Sequence, residues 1–317
     1  MFVVGGESLI DLVAEPMGAD DRIHMTAHAG GSPYNCAIAL ARLGNKSGFL
    51  CPISKDAFGD YLLIPLLAAG ARPIYPHRVA APTSLATVNV NRKGQAQYEF
   101  YRSADRAFDA PALIEGLPGD IELFQIGGFC VIEPEDASIW LEVVAAATRR
   151  GAAISIDPNV RPSLVSDFGA YRARLSKFFD KAHLVKLSDE DLAALNPDLT
   201  LKEHASALLA RPQCRLVVIT RGEEGSLAFT ANEEASAEIY RPERFGDTVG
   251  AGDSLMAAII TWLAANGHLE PGAMSRLGAS ELKQMLTYGA VVAGLNCAEK
   301  GCNPPTSQMV SDVLATL

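Results

Sequence analysis

Eight residues, Gly246-Asp247-Thr248-Val249-Gly250-Ala251-Gly252-Asp253, close a polar loop and run directly into an apolar helical pattern from Ser254 to Ala264. Small residues at 250–252 let a ligand come up against the backbone. A helix starting there has unpaired first N–H groups and the positive end of its dipole. Such a terminus is an anion site. Asp253 lies in the same first turn, where the dipole favours its ionised form. An anion hole beside an ionised base is what phosphoryl transfer to an alcohol needs. The same residues also read as a Gly-rich helix start whose Asp compensates the dipole, and the loop alone does not separate the two.

The rest of the chain supplies the context. Short β-rich runs (Phe2 to Gly5, Gly48 to Ile53, Ile121 to Ile126, Ala152 to Ile156, Leu184 to Leu187, Leu216 to Thr220) alternate with helical patterns. That order predicts an α/β fold, a mostly parallel central sheet flanked by helices. Ser32-Pro33 opens one helix, with Ser read as N-cap and Pro at the first helical position, and Gly44 stops it. Gly225 to Thr230 and Ala237 to Tyr240 read as a hairpin. Two segments break the alternation: strand-like runs Ser84–Asn91 and Gln95–Arg102 about the turn Arg92-Lys93-Gly94, and a second pair at 8–14 and 23–28. Together, at about 8–28 and 84–105, they predict a small β-sheet lid on a single domain spanning 1–317; an edge extension of the main sheet is the alternative.

With 49% apolar residues the chain can bury a large core. Its 27 basic and 37 acidic residues give a net charge of -10, which argues against nucleic acid or an anionic membrane as the main partner. No apolar run reaches the ~20 residues of a membrane span. The N-terminus lacks the pattern of a signal peptide, so a cytoplasmic protein is expected. The six cysteines contain no Cys-x-x-Cys, and the six histidines show no metal-ligand spacing. Also missing are G-x-x-x-x-G-K-[ST], the His-Arg-Asp and Asp-Phe-Gly pair, G-x-S-x-G, and a G-x-G-x-x-G after the first strand. The last absence excludes a Rossmann oxidoreductase.

Asp247-Thr248-Val249-Gly250-Ala251-Gly252-Asp253-Ser254 resembles the C-terminal signature of the ribokinase-type (PfkB) carbohydrate kinases. Gly30-Gly31-Ser32-Pro33-Tyr34-Asn35-Cys36-Ala37, continuing to Ala41-Arg42-Leu43-Gly44, is similar to the family's N-terminal signature, and Gly59-Asp60 follows at the expected interval. The resemblance spans essentially the whole chain. It implies a ribokinase-like fold whose β-lid closes on a sugar, with ATP as phosphoryl donor.

Residue roles follow from the same resemblance. Asp253 matches the catalytic base, and Gly250, Ala251 and Gly252 the anion hole. Asp11, Gly30, Gly31 and Asn35 match the sugar-contacting positions, where Asp accepts from hydroxyls and Asn both donates and accepts. Thr220-Arg221-Gly222-Glu223-Glu224-Gly225 resembles the Thr-x-Gly-x-x-Gly nucleotide loop, assigning Thr220, Gly222 and Gly225. Lys186 to Asp191 lines up with the family's Asn-x-x-Glu element, with Ser188 in place of Asn and Asp191 in place of Glu. Lys186 and Ser188 would then serve the nucleotide and Asp191 would hold Mg2+ through water; Ser188 also reads as an N-cap. Asn296 falls near the adenine pocket, or caps a helix. Mg2+ is expected on general grounds, because nucleotide phosphates need charge neutralisation. The family often adds K+ beside the anion-hole loop, and Asp247 with the carbonyl of Val249 is where it would sit.

Phe100-Tyr101-Arg102 and Asp157-Pro158-Asn159-Val160-Arg161-Pro162 resemble the fructokinase and 2-keto-3-deoxygluconate kinase branch. Phe100 or Tyr101 would cover the sugar face. Arg102 and Arg161 would hold an oxygen-rich group, and two arginines also suit the carboxylate of a ketoacid. Fructose is the first expectation, with 2-keto-3-deoxygluconate and aminoimidazole riboside as alternatives. A non-catalytic sugar or nucleotide sensor is the reading from another class, against which the intact Asp253 argues. The exposed edge of the lid predicts a homodimer.

Overall fold

The computed structural model describes residues 1–15, 23–90 and 96–317. Its strands are β1 (Phe2–Gly5), β2 (Leu9–Ala14), β3 (Met25–Gly30), β4 (Ser47–Leu50), β5 (Arg72–Pro73), β6 (Leu85–Val90), β7 (Ala96–Tyr101), β8 (Leu123–Gly127), β9 (Ala153–Asp157), β10 (Leu184–Ser188), β11 (Leu216–Thr220), β12 (Ser226–Phe229) and β13 (Glu234–Ala237). Its helices are α1 (Ser32–Arg42), α2 (Ala57–Ala68), α3 (Ala110–Gly116), α4 (Pro134–Arg149), α5 (Phe168–Phe179), α6 (Asp189–Leu195), α7 (Leu201–Leu209), α8 (Ala251–Ala265), α9 (Pro271–Met274), α10 (Ala279–Asn296) and α11 (Ser307–Leu314).

Nine strands form the main sheet in the order β13-β12-β11-β10-β9-β8-β1-β4-β5. The pairs from β11 to β5 are parallel, and only β12 and β13 run antiparallel at one edge. Strands covered on both faces read as continuous apolar runs, and the side-chain period of two divides each run between two cores. Leu216 and Val218 pack with α1, α8 and α10, whereas Val217 and Ile219 pack with α4, α5 and α7. Phe2 and Val4 likewise face the first layer and Val3 the second. β1 lies between β8 and β4, so the chain reverses its winding there. A crevice opens at the carboxyl ends of the strands at such a switch point.

A second sheet stands apart, in the order β3-β2-β6-β7. Each expected strand pair is antiparallel, and a parallel β2–β6 contact joins them, so the edge-extension alternative is overturned. The expected turn Arg92-Lys93-Gly94 lies outside the described residues. At the main sheet's edge the hairpin's second strand is 234–237 rather than 237–240. Helices α3, α7, α9 and α11 were not anticipated. Among the described residues no helix is long and apolar enough to cross a membrane, and five cysteines are buried and the sixth half-buried, all as free thiols.

Candidate active site

Helix α8 begins as its sequence demands. Its N-cap Gly250 has φ 76, a left-handed conformation that strains any residue with a side chain. A Cβ there would also lie 2.4 Å from Sγ of Cys302. The N–H of Ala251 turns back to the carbonyl of Thr248 at 3.1 Å, which removes it from the expected anion hole. The N–H groups of Gly252 and Asp253 have no backbone acceptor among the described residues, so the hole is narrower than the sequence implied.

Asp253 is gripped from α1. Oγ of Ser32 donates to its Oδ1 at 2.6 Å, and Nδ2 of Asn35 donates to its Oδ2 at 2.9 Å. Burial pushes its carboxyl above the ordinary value, opposed by Ser32 and Asn35 and then by the charges of Lys186 and Arg161. The dipole alone had predicted a plain carboxylate, but enclosure outweighs it. Ser32 also departs from expectation. It is the first helical residue, not the cap; Gly31 holds the cap position, and no side chain caps this helix.

Beneath the hole, Nζ of Lys186 reaches Oδ2 of Asp157 at 2.7 Å, with both side chains almost fully buried. Lys186 stands 3.0 Å from where a Cβ on Gly252 would be. Burial presses Lys186 toward its neutral form, but Asp157, Asp191 and Asp253 more than offset this and hold it above its ordinary value. Burial raises Asp157 to about 6 despite Lys186. Oδ1 of Asp157 is buried and has no hydrogen-bond partner among the described residues.

Ser188 and Asp191 form a reciprocal capping box on α6, with Oγ of Ser188 accepting the N–H of Asp191 at 3.0 Å and Oδ2 of Asp191 accepting that of Ser188 at 2.8 Å. Oδ1 of Asp191 accepts the N–H of Val160 at 2.8 Å, which ties α6 to the loop after β9. Thr220 ends β11 beside Ser188, and Gly222 and Gly225 flank the turn into β12. Gly225 packs against the carbonyl of Ala237, while the space beside Gly222 is open. Asn296 is fully buried. Its Nδ2 donates to the carbonyl of Val249 at 2.7 Å, and its Oδ1 accepts the N–H of Asn303 at 3.0 Å. The carboxylate of Asp247 accepts the N–H groups of Val249 and Gly301, each at 2.9 Å. These bonds make 247–249 and 296–303 one clamp behind the start of α8.

The small sheet forms the facing wall. Register places Asp11, Ala86 and Phe100 in one row across β2, β6 and β7, hence on one face. Burial raises Asp11 to about 6, and its Oδ2 lies 2.2 Å from where a Cβ on Gly30 would be. Phe100 meets the ring of Phe129 edge-on at 5.0 Å. Tyr101 falls on the opposite face and is 57% exposed, so Phe100 alone of the two can face the sugar side. Arg102 does not stand free. Its Nε donates to Asp105 at 2.8 Å, its Nη2 lies 3.5 Å from Asp136, and its guanidinium lies 5.0 Å over the Phe129 ring. Arg106 holds Asp136 from the other side at 2.8 Å. Arg161 is exposed, bonded among the described residues to its own Val160 carbonyl, and its charge reaches Asp253. Sequence reading missed Ser32 as a partner of Asp253, Asp157 as the partner of Lys186, and the buried Glu7 after β1; the position of Asp157 at a strand's carboxyl end was the available signal.

The fold and this cleft define a class. The profile of the pfkB family carbohydrate kinases matches residues 1–309, and the chain belongs to that family: it is a carbohydrate kinase. Its relatives narrow the field. It is 29% identical to "Probable fructokinase-3" of Arabidopsis thaliana over 96% of this chain and 88% of that protein. It is 31% identical to "Fructokinase" of Rhizobium leguminosarum bv. trifolii over 89% of this chain and 86% of that one. The crystal structure of fructokinase with bound ATP from Xylella fastidiosa superimposes with a TM-score of 0.88 at 26% identity, covering 99% of this chain and 98% of that one.

Proposed function

We propose that this kinase transfers the γ-phosphoryl group of ATP to the primary hydroxyl of D-fructose, giving fructose 6-phosphate. The similarity to fructokinases, one of them with bound ATP, supports donor and acceptor alike. The observation that carries the choice of sugar is the state of Arg102. Its Nε and Nη2 are held by Asp105 and Asp136, which offset its charge. The Nη1 left buried without a partner among the described residues is a single donor, which suits a hydroxyl better than the two-point grip a ketoacid carboxylate takes. What remains on the sugar side, Asp11, Asn35 and Asp253, suits hydroxyls.

Asp253 accepts the proton of the attacking hydroxyl, and the N–H groups of Gly252 and Asp253 receive the transferring phosphoryl. Lys186 adds positive charge beneath the hole. Asp11 and Asn35 orient the ring, and Phe100 covers it as the small sheet closes like a lid and excludes water. Thr220 and Gly222 line the nucleotide end. Among the described residues no cluster of three His, Cys, Asp or Glu could hold a metal, so Mg2+ would arrive on the ATP phosphates. The unpartnered Oδ1 of Asp157 and the carboxylate of Asp191 fit its water shell. Bound there, it would neutralise phosphate charge. A K+ ion would draw on the clamp around Asp247 and Val249. The outer face of the small sheet exposes Met25 and Tyr101, which suits pairing with a second copy, checked by light scattering.

The test is ADP release from ATP over a sugar panel. Turnover with fructose is expected. Turnover with 2-keto-3-deoxygluconate or aminoimidazole riboside and none with fructose would overturn the assignment.

A further inference from the structure

The first turn of α1 holds a serine displaced from its usual work. Ser before Pro at a helix start ordinarily accepts a backbone N–H as the N-cap. Here Gly31 holds that position at φ 112, and a Cβ there would come 2.7 Å from the carbonyl of Glu7. The cap site is therefore closed to serine. Ser32 moves one place into the helix, and its hydroxyl is released to reach Oδ1 of Asp253 at 2.6 Å. Asn35, three residues on and so on the same helix face, takes Oδ2 at 2.9 Å. One helical turn thus grips both oxygens of the carboxylate and sets its plane.

The two donors differ in kind. Nδ2 of Asn35 can only donate, whereas a hydroxyl donates or accepts. When Asp253 is ionised, Ser32 donates to Oδ1. When Asp253 is protonated, an Oδ1–H can donate to Oγ of Ser32, whose own O–H turns away. Such a bond survives the change of charge. We propose that Ser32 is a positioning residue for the base, holding Oδ1 of Asp253 before and after it takes the proton of the acceptor hydroxyl. This rests on the reading of Asp253 as general base.

The groups around Asp253 set the sign of the effect. Lys186 of β10 and Arg161 after β9 favour the carboxylate, while Asp157 of β9, Cys36 of α1 and Cys302 of the 296–303 loop also feel its charge. Burial drives Asp253 upward, and the Ser32 hydroxyl is the foremost group opposing it. The bond to the carboxylate is charge-assisted and the stronger of the two, so removing the hydroxyl costs the ionised form more and leaves the base protonated to higher pH.

The experiment measures kcat/KM against pH for wild type, Ser32→Ala and Ser32→Thr, with ATP and the sugar that wild type turns over best. For Ser32→Ala the acid limb should move up by on the order of one pH unit, about a tenfold loss of rate below the limb. The KM for sugar on the plateau should hold, and Ser32→Thr should return the limb toward wild type. An unmoved limb in Ser32→Ala, or one that Thr does not return, overturns the role of Ser32 and leaves the kinase reading standing. No turnover by wild type with any sugar overturns that reading and this one together.

Discussion

At the α8 end of the cleft, the buried charges have partners from distant parts of the chain: Asp253 with Ser32 and Asn35, Lys186 with Asp157. At the small-sheet end, Arg102, Asp105, Arg106 and Asp136 neutralise one another within the wall. The first end presents charge to a ligand; the second offers shape, with Phe100 and Phe129 edge to face. Reactive charge is kept where buried partners hold it in place, and elsewhere it is cancelled locally. That contrast predicts which substitutions change chemistry and which change stability.

The largest effect should come from Asp253→Asn. Loss of the base should reduce kcat by at least ~10²-fold, with ATP affinity near normal in a binding titration. A variant within about threefold of wild type would refute the assignment. Gly250→Ala comes next. Its Cβ meets Cys302 and its φ is positive, so the hole must distort, and kcat should fall about tenfold or more. Adding Cys302→Ala removes Sγ but leaves the Cβ at 302 only 2.8 Å from the new one and the positive φ unrelieved, so steady-state assays should show little recovery.

A third prediction sets the two arginines against each other. Arg161→Ala should lower kcat/KM for the sugar by about tenfold with little change in Tm. Arg102→Ala leaves the buried Asp105 without its cation, while Arg106 still holds Asp136, and should lower Tm by several degrees with a small kinetic change. The reverse pattern would break the comparison. The smallest effect concerns Glu7, which burial raises from 4.5 to about 7 while the N–H of Phe129 opposes this. A carboxyl raised in the folded state contributes stability that is full below about pH 4.5 and is lost as pH climbs through about 7. Glu7→Gln keeps an acceptor for Phe129 without the charge. Its Tm, followed by calorimetry from pH 5 to 8, should rise relative to wild type across that window.

How far each region was legible follows from how local its cause is. The 246–253 run and the Gly30-Gly31 loop could be read because a left-handed glycine, a helix start and an acid in the first turn are neighbours in sequence. The small sheet's strands were legible by alternation, but not their joining through β2 and β6. Tyr101 was misjudged because only the register with Ala86 and Asp11 shows which face is inward. Arg102 was misjudged because Asp136, which helps hold it, lies 34 residues away on α4. Asn296 turned out to fasten the Val249 carbonyl across 47 residues, a bond no spacing announces.

By itself the sequence determined the α/β order, the small-sheet insert, the family and the glycine-led helix start at 250–253, because apolar period, glycine placement and motif spacing act over a few residues. The tertiary structure decided which of those residues face one another. It moved Ser32 from cap to partner of Asp253, turned the N–H of Ala251 back onto Thr248, paired Lys186 with Asp157 and tied Arg102 to Asp105 and Asp136. Each of these depends on strand ends and helix starts far apart in the chain meeting at one switch point, where burial and hydrogen bonding across elements outweigh local preference.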